Sequence, residues 1–239
     1  MRLWQTPARM ENLPRTALIA GASGFTGGYL LEALLEAPDF ARVFAVTRRP
    51  LKREHSRLAN RIVQFDKLES QLQGVQCDTA FCCIGSTRRA AGSDGAFRRI
   101  DFDYVLSFAR AAKAAQAKRF VFLSSVRADA ASTHYYLRLK GEAEAALGLL
   151  GFVSLDLLQP SLITGFRHEI RPRDLIGTIL MPLANPFLTG TREPLRAIPA
   201  RRLAAAMLGA ARSGRRGVRR YTYRGLLELA ALKPPPPPI

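Results

Sequence analysis

Tyr136 and Lys140 stand four residues apart in the run Tyr136-Leu137-Arg138-Leu139-Lys140, a spacing that puts two side chains on one face of a helix. A free phenol loses its proton at about pH 10, too reluctantly for acid–base work at neutral pH. An ammonium beside it favours the phenolate and brings that pKa down. Such a pair can give a proton to, or take one from, a carbonyl or alcohol oxygen. Ser124 and Ser125 end the apolar run Arg119–Leu123 just upstream, where a serine can hold that oxygen. Tyr135 has Leu139 four residues on and therefore no cationic partner on its face. The Tyr-x-x-x-Lys spacing is a frequent accident; its force here comes from its place after that run and its serines.

A second stretch, Arg15 to Leu31, supplies what such a pair would work with. Ala17-Leu18-Ile19-Ala20 reads as a buried strand, Gly21, Gly24 and Gly27 follow, and Tyr29, Leu30, Leu31, Leu34 and Leu35 recur at helical spacing. Strand, glycine turn and helix N-terminus together make an anion site. Gly21 allows the sharp turn, Gly24 a close approach of backbone to a pyrophosphate, and Gly27 tight packing of helix on strand. The expected ligand is a dinucleotide. With a nicotinamide ring beside it, Tyr136 can move the proton that accompanies hydride transfer, and Lys140 can also bond the nicotinamide ribose. An NAD site usually carries an acid about 20 residues past the glycines, at the end of the second strand. Here that place holds Thr47-Arg48-Arg49-Pro50, so the expected cofactor is NADP rather than NAD, with a guanidinium on the ribose 2′-phosphate.

These groups need a scaffold that delivers them to one edge. Apolar runs predict further strands at 42–47, 61–65, 79–84, 119–123, 152–158 and 219–223. Helical periodicity appears at 93–117, 134–150 and 201–211, with a brief turn near Leu68 and Leu72. Strands alternating with helices predict an α/β, Rossmann-like doubly wound parallel sheet, in which ligands sit outside the carboxyl ends of the strands. Residues 1–14 read as a loose extension without the apolar core of a signal peptide. Residues 15–223 read as the dinucleotide-binding domain. Within it, 161–200 breaks the rhythm with five prolines and reads as a small C-terminal substrate-side lobe, and 224–239 reads as a tail ending in polyproline.

The chain of 239 residues is 48% apolar, enough for one sizeable core, and carries a net charge of +17. Thirty of its 36 basic residues are Arg, scattered in pairs and not gathered on one element, which argues against a nucleic-acid footprint. Cys77, Cys82 and Cys83 lie in or beside an apolar run and read as small buried hydrophobes of a reducing compartment. His55 and His168 have no partner at ligand spacing, so no metal site is expected. His134 reads as a helix-start residue, and Asp101 and Asp103 as caps or partners of Arg98 and Arg99. The longest uncharged run, 175–191, is short and broken by prolines. The expectation is a cytoplasmic protein with a small-molecule substrate, no membrane or nucleic-acid partner, and a homodimer left open.

The Gly21-Ala22-Ser23-Gly24-Phe25-Thr26-Gly27 turn, the Phe81–Thr87 strand end, Ser124–Asp129 and Tyr136–Leu147 together resemble the atypical short-chain dehydrogenase/reductases. In particular they are similar to the Tat-interacting-protein-type oxidoreductases and their small bacterial relatives, over about residues 15–223. The resemblance implies that Gly21, Ser23, Gly24, Phe25, Thr26 and Gly27 hold pyrophosphate and that Arg48 or Arg49 holds a 2′-phosphate. It places Asp66 by the adenine, Gly85 by the adenosine ribose and Pro160 by the nicotinamide. Tyr136 and Lys140 match the catalytic pair; Ser125 matches the usual serine spacing, and Ser124 the nearer relatives. The relatives often show Arg-Pro where this chain has Gln159-Pro160. The implied activity is an NADP-dependent oxidoreductase acting on a small carbonyl or alcohol. Open beside it are isomerase or dehydratase chemistry with a retained cofactor, and an NADPH-binding regulatory or scaffold protein with little turnover.

Overall fold

A computed structural model describes residues 15–165 and 185–234; residues 1–14, 166–184 of the proline-rich stretch and 235–239 of the tail lie outside it. Seven parallel strands form the sheet: β1 (Arg15–Ala20), β2 (Phe40–Thr47), β3 (Leu58–Ile62), β4 (Thr79–Cys82), β5 (Arg119–Leu123), β6 (Ser154–Leu158) and, last in the chain, β9 (Gly217–Tyr221). Their order is β3-β2-β1-β4-β5-β6-β9. The order reverses between β1 and β4, each strand following by a crossover, which is the doubly wound arrangement.

Two apolar layers follow from the two-residue period of the strands. Leu18, Ala20, Ala80, Cys82, Phe120 and Phe122 face a core shared with α2 (Leu68–Gln71), α5 (Tyr104–Ala114) and α6 (Tyr135–Gly148). Ala17, Ile19, Val43, Phe81 and Val121 face the other, with α1 (Phe25–Glu36), α7 (Ala200–Arg212) and α8 (Tyr223–Ala230). Covered on both faces, β1 has Ala17 to Ala20 with no exposed surface at all, so its run is continuously apolar and not alternating.

Four elements depart from the expected bounds. The third strand lies at 58–62 instead of 61–65. As a sheet edge it needs only half burial, and polar Asn60 and Arg61 fill it while Val63 and Phe65 are buried just beyond. The last strand lies at 217–221, with Val218 turned outward. Residues 224–239 do not begin as a tail: α8 docks Leu226 and Leu229 into the core against α7, a period too short to register by eye in eight residues. The expected helix 93–117 occurs as α4 (Asp94–Arg98), a π-helical turn (Arg99–Asp103) and α5, preceded by a short α3 (Arg88–Ala91). Ser93 Oγ caps α4 by accepting from Ala96 N at 3.1 Å. Of the 161–200 stretch, 166–184 lies outside the described residues; the remainder holds a two-stranded parallel pair, β7 (Ile163–Thr164) and β8 (Ile198–Pro199).

Asp39, at the start of β2, ties the two ends of this fold. It pairs with Arg15 on β1 and with Arg212 Nη2 at 2.7 Å at the end of α7. Burial alone would raise the Asp39 carboxyl, but the hydrogen bond and charge of Arg212, with Arg15 behind them, hold it below the usual carboxylate range. Its stabilising contribution is therefore present above that range and is lost as pH falls through the depressed value. Asp39→Ala strands two guanidinium groups and is expected to lower the unfolding free energy by about 3 kcal/mol at neutral pH. Denaturant unfolding at a series of pH values should show the gap between wild type and variant closing in acid.

Candidate active site

A cleft of about 730 Å³ opens at the carboxyl ends of the strands, around the β1/β4 reversal. Twelve of the residues singled out in the sequence share its wall: Gly21, Ser23, Gly24, Phe25, Thr26 and Gly27 at the turn, Arg48 and Arg49 after β2, Gly85 after β4, and Ser124, Tyr136 and Lys140 at the far end. Ser125, Asp66 and Pro160 are outside it. Asp66 is exposed and pairs with Arg99 at 2.6 Å. Pro160 is buried behind the wall, its carbonyl accepting from Val126 N at 2.9 Å. Ser125 is half-buried and not part of the cleft's lining, whereas Ser124 is buried within it.

The glycine turn is built for close approach. Gly21 has φ +86°, and a Cβ there would lie 2.5 Å from the Cys83 carbonyl of the neighbouring strand end; a Cβ on Gly27 would lie 2.0 Å from the Gly21 oxygen. Gly24 is the N-cap of α1. No side chain caps that helix, and its first turn carries no acidic residue. The partial positive charge of a twelve-residue helix therefore faces the cleft without a counter-charge among the described residues that line it there. This cradle fits a pyrophosphate. Thr47, buried at the end of β2, accepts a hydrogen bond from Asn60 Nδ2 at 2.7 Å, and Asn60 Oδ1 accepts from Leu51 N. That lock sets the direction in which the exposed Arg48 and Arg49 leave the strand. Among the described residues no carboxylate pairs with either, and no acid lines the cleft at that end.

At the other end, α6 places three polar side chains four residues apart on one face: Tyr136, Lys140 and Glu144. Close packing seats this helix, since a Cβ on Gly141 would lie 2.2 Å from the backbone of Asp129 and Ala130, in the loop after β5. Lys140 is buried, with its ammonium 3.0 Å from Asp101 Oδ1 and over the Phe122 ring. Burial works against its charge, but Asp101 and then Tyr136 outweigh it and hold the Lys140 pKa above the ordinary value. Asp101 thus does not pair with Arg98 or Arg99. It is 1% exposed, on the π turn, and its Oδ2 accepts from Ser86 N at 2.8 Å, while Arg98 pairs with Glu142 and Arg99 with Asp66.

Sequence reasoning missed Glu144. It is buried, and its Oε1 accepts from Ser124 Oγ and from Gln159 Nε2 at 2.8 Å; its Oε2 accepts from Arg220 Nε at 2.9 Å. The four-residue step from Lys140 was a usable signal for it. Nothing local marks Arg220, which arrives from β9. Tyr135 lies outside the cleft wall, its hydroxyl donating to the Asp94 carbonyl under the Arg88 guanidinium. His134 is the N-cap residue of α6, and His168 lies outside the described residues. Burial pushes the Cys82 thiol up to about 12, so it is unreactive at neutral pH. Among the described residues no three His, Cys, Asp or Glu side chains gather as a metal-binding set.

Residues 17–145, more than half of the chain, match the NAD dependent epimerase/dehydratase family. The chain belongs to that family. Its fold is accordingly that of the nicotinamide-dinucleotide-binding short-chain dehydrogenase/reductases, of atypical type. Protein HTATIP2 of Rattus norvegicus is 42% identical over 173 residues, covering 71% of this chain and 70% of that protein. The mitochondrial protein fmp52 of Aspergillus clavatus is 31% identical over 188 residues, covering 76% and 80%. Among solved structures, MoeE5 in complex with UDP-glucose and NAD superposes with a TM-score of 0.64 at 18% identity, over 90% of this chain and 81% of that one. A UDP-N-acetylglucosamine 4-epimerase from Methanobrevibacter ruminantium M1 gives 0.63 at 17% identity, over 87% and 76%. These structures share the fold. The relatives bear out the likeness to Tat-interacting-protein-type oxidoreductases, while the fungal ones are named for mitochondria and not for the expected cytoplasm. Among the described residues no helix is long and apolar enough to cross a membrane.

Gly27→Ala tests the cradle. The Gly21 oxygen leaves no room for a methyl group, so α1 must move off β1 and away from the phosphates. Calorimetric titration with reduced nicotinamide dinucleotide should show affinity reduced about tenfold or more, a loss of at least about 1.4 kcal/mol, with the far-ultraviolet circular dichroism retained.

Proposed function

We propose that this protein is an NADP-dependent oxidoreductase that transfers a hydride to or from a small carbonyl or alcohol substrate. One observation carries the reading: a single cleft holds the glycine cradle, two arginines without carboxylate partners among the described residues, and the Tyr136–Lys140 pair. The amides around Gly21, Ser23, Gly24, Phe25, Thr26 and Gly27 would hold the pyrophosphate, and Gly85 would flank the adenosine ribose. Arg48 and Arg49 would meet a ribose 2′-phosphate through charge-assisted hydrogen bonds. When bound, the dinucleotide supplies the hydride acceptor or donor. Tyr136 moves the proton at the substrate oxygen, Lys140 carries the compensating charge beneath it, and Ser124 presents its oxygen lone pairs to the cleft because its hydroxyl proton points to Glu144.

That last contact also supports the second reading, an NADPH-binding regulatory or scaffold protein with little turnover. A serine whose proton is committed to Glu144 has no second proton to offer a substrate carbonyl. The two readings separate on hydride transfer, which a broad carbonyl panel with NADPH detects by loss of the reduced-nicotinamide absorbance.

NADPH is expected to bind more tightly than NADH by calorimetry. Replacing Arg48 and Arg49 together by Ala should cost NADPH about tenfold to a hundredfold in affinity, at about 1.5–3 kcal/mol for hydrogen bonds to a charged group, and leave NADH nearly unchanged. Equal affinities for the two nucleotides in the wild-type protein would remove the assignment to NADP. On a carbonyl substrate found in the panel, Tyr136→Phe should reduce kcat about 10²–10⁴-fold with nucleotide affinity preserved. Intact turnover in that variant would show that Tyr136 is not the acid.

A further inference from the structure

The buried carboxylate of Asp101 has no place in the proton transfer just described, yet it is the nearest charge to the ammonium that Tyr136 depends on. Its position is tightly specified. The π-helical turn Arg99–Asp103 interrupts what the sequence reads as one helix, and π turns of this kind occur often at functional sites. Asp101 is 1% exposed on that turn. One carboxylate oxygen lies 3.0 Å from Lys140 Nζ, and the other accepts the Ser86 amide at 2.8 Å in the loop that closes the cleft after β4.

We propose that Asp101 is a positioning residue for the Tyr136–Lys140 pair, offsetting the Lys140 charge so that Tyr136 is biased toward the proton-carrying phenol. The inference rests on the oxidoreductase reading for its meaning, though not for its test. A lone buried ammonium would pull the phenol toward phenolate, the form that takes a proton from an alcohol. An ammonium balanced by a carboxylate pulls less, and the phenol is the form that gives a proton away. The bias therefore favours carbonyl reduction. In that direction the Tyr136 O–H bond breaks, an O–H bond forms on the substrate oxygen, and hydride from the reduced dinucleotide makes the new C–H bond. The carbonyl is reduced, the dinucleotide is oxidised, and solvent returns a proton to the phenolate.

The groups that face this pair from each neighbouring element fit the assignment. On α6 they are Tyr136 and Lys140 themselves and, one turn further on, the Glu144 carboxylate, which is met by Ser124, Gln159 and Arg220. The π turn contributes Asp101, and β4 and its end contribute Cys82 and Cys83, whose thiols burial keeps protonated. The β5 strand contributes the Phe122 ring and, at its end, Ser124, neither of which carries charge. Asp101 is thus the sole anion set directly against the ammonium among the described residues.

The test is an ultraviolet difference titration of tyrosinate on the full-length protein without nucleotide. The titration of a matching Tyr136→Phe variant is subtracted in each background to isolate Tyr136. In Asp101→Asn, the Tyr136 midpoint should fall by about one unit or more, because the ammonium is no longer balanced. In Lys140→Gln it should rise, because the carboxylate is left facing the phenol. In the double variant Asp101→Asn/Lys140→Gln both charges are gone and the midpoint should return near the wild-type value. A wild-type midpoint in Asp101→Asn overturns the proposal. If Asp101→Asn does not fold, with its ammonium stranded, the other two variants decide: Lys140→Gln should titrate about one unit above the double variant, and coincident midpoints overturn the proposal. Because no nucleotide or substrate enters the titration, failure of NADPH binding or of turnover would leave this result standing by itself.

Discussion

The lack of space between the first turn of α1 and the ends of β1 and β4 governs this molecule. Gly21 and Gly27 bring backbone to backbone at distances that no side chain tolerates, and this seats the N-terminus of α1 at the point where strand order reverses. Two consequences come from that one approach. The helix start faces the cleft without a side-chain cap among the described residues, so an anion suits it. The loop after β4, pressed against Gly21 at Cys83, is also fixed, and with it Gly85 and Ser86. The Ser86 amide then becomes the handle by which Asp101 is held. Packing at the glycine turn is thereby transmitted along one loop to the end of the cleft that holds Tyr136 and Lys140.

At that second end the organising element is α6. Its inward face carries Tyr136, Lys140 and Glu144 at four-residue steps, and the two buried charges are each met by a residue from a different part of the chain: Asp101 from the π turn and Arg220 from β9. Buried ion pairs are poor sources of net stability, because desolvation offsets most of their attraction. Their effect here is geometric. Lys140 is fixed on this face by Asp101, and Ser124 is held by a carboxylate that is itself clamped from two sides. The helix is set in rotation and height by these contacts together with the close approach at Gly141.

What could be read from the chain divides along physical lines. The central strands, the glycine turn and the Tyr–Lys pair were legible because each is a local pattern: an apolar run, a spacing of three, a spacing of four. The edge strands β3 and β9 were misplaced by a few residues, since a half-buried edge tolerates Asn60, Arg61 and an outward Val218 and so loses the apolar mark. The docking of α8 was missed because two leucines, Leu226 and Leu229, make a face only in the presence of α7. Asp101 was seen but assigned to its neighbours Arg98 and Arg99, the partners that a regular helix would suggest. A π turn and a residue 39 positions downstream decide its true contact, and neither is written in the local sequence.

Gln159 shows how such long-range compensation works. The resemblance to the short-chain dehydrogenase/reductases leads to an expectation of Arg before the proline at this position, and a glutamine there puts the hydrogen bonding on the substrate side in question. The structure gives it a different meaning. Position 159 is buried beside the cleft and donates to Glu144, not to the cavity. A neutral amide satisfies one lone pair of that carboxylate but leaves its charge unmet, and an unmet buried charge is costly. Arg220, one strand further along the sheet, supplies the missing guanidinium from the solvent side, with its head still half exposed. The charge of the Glu144 carboxylate is therefore met from β9. The wall of the cleft near Ser124 thus has one cation among the described residues lining it there, Lys140, and its charge is already met by Asp101.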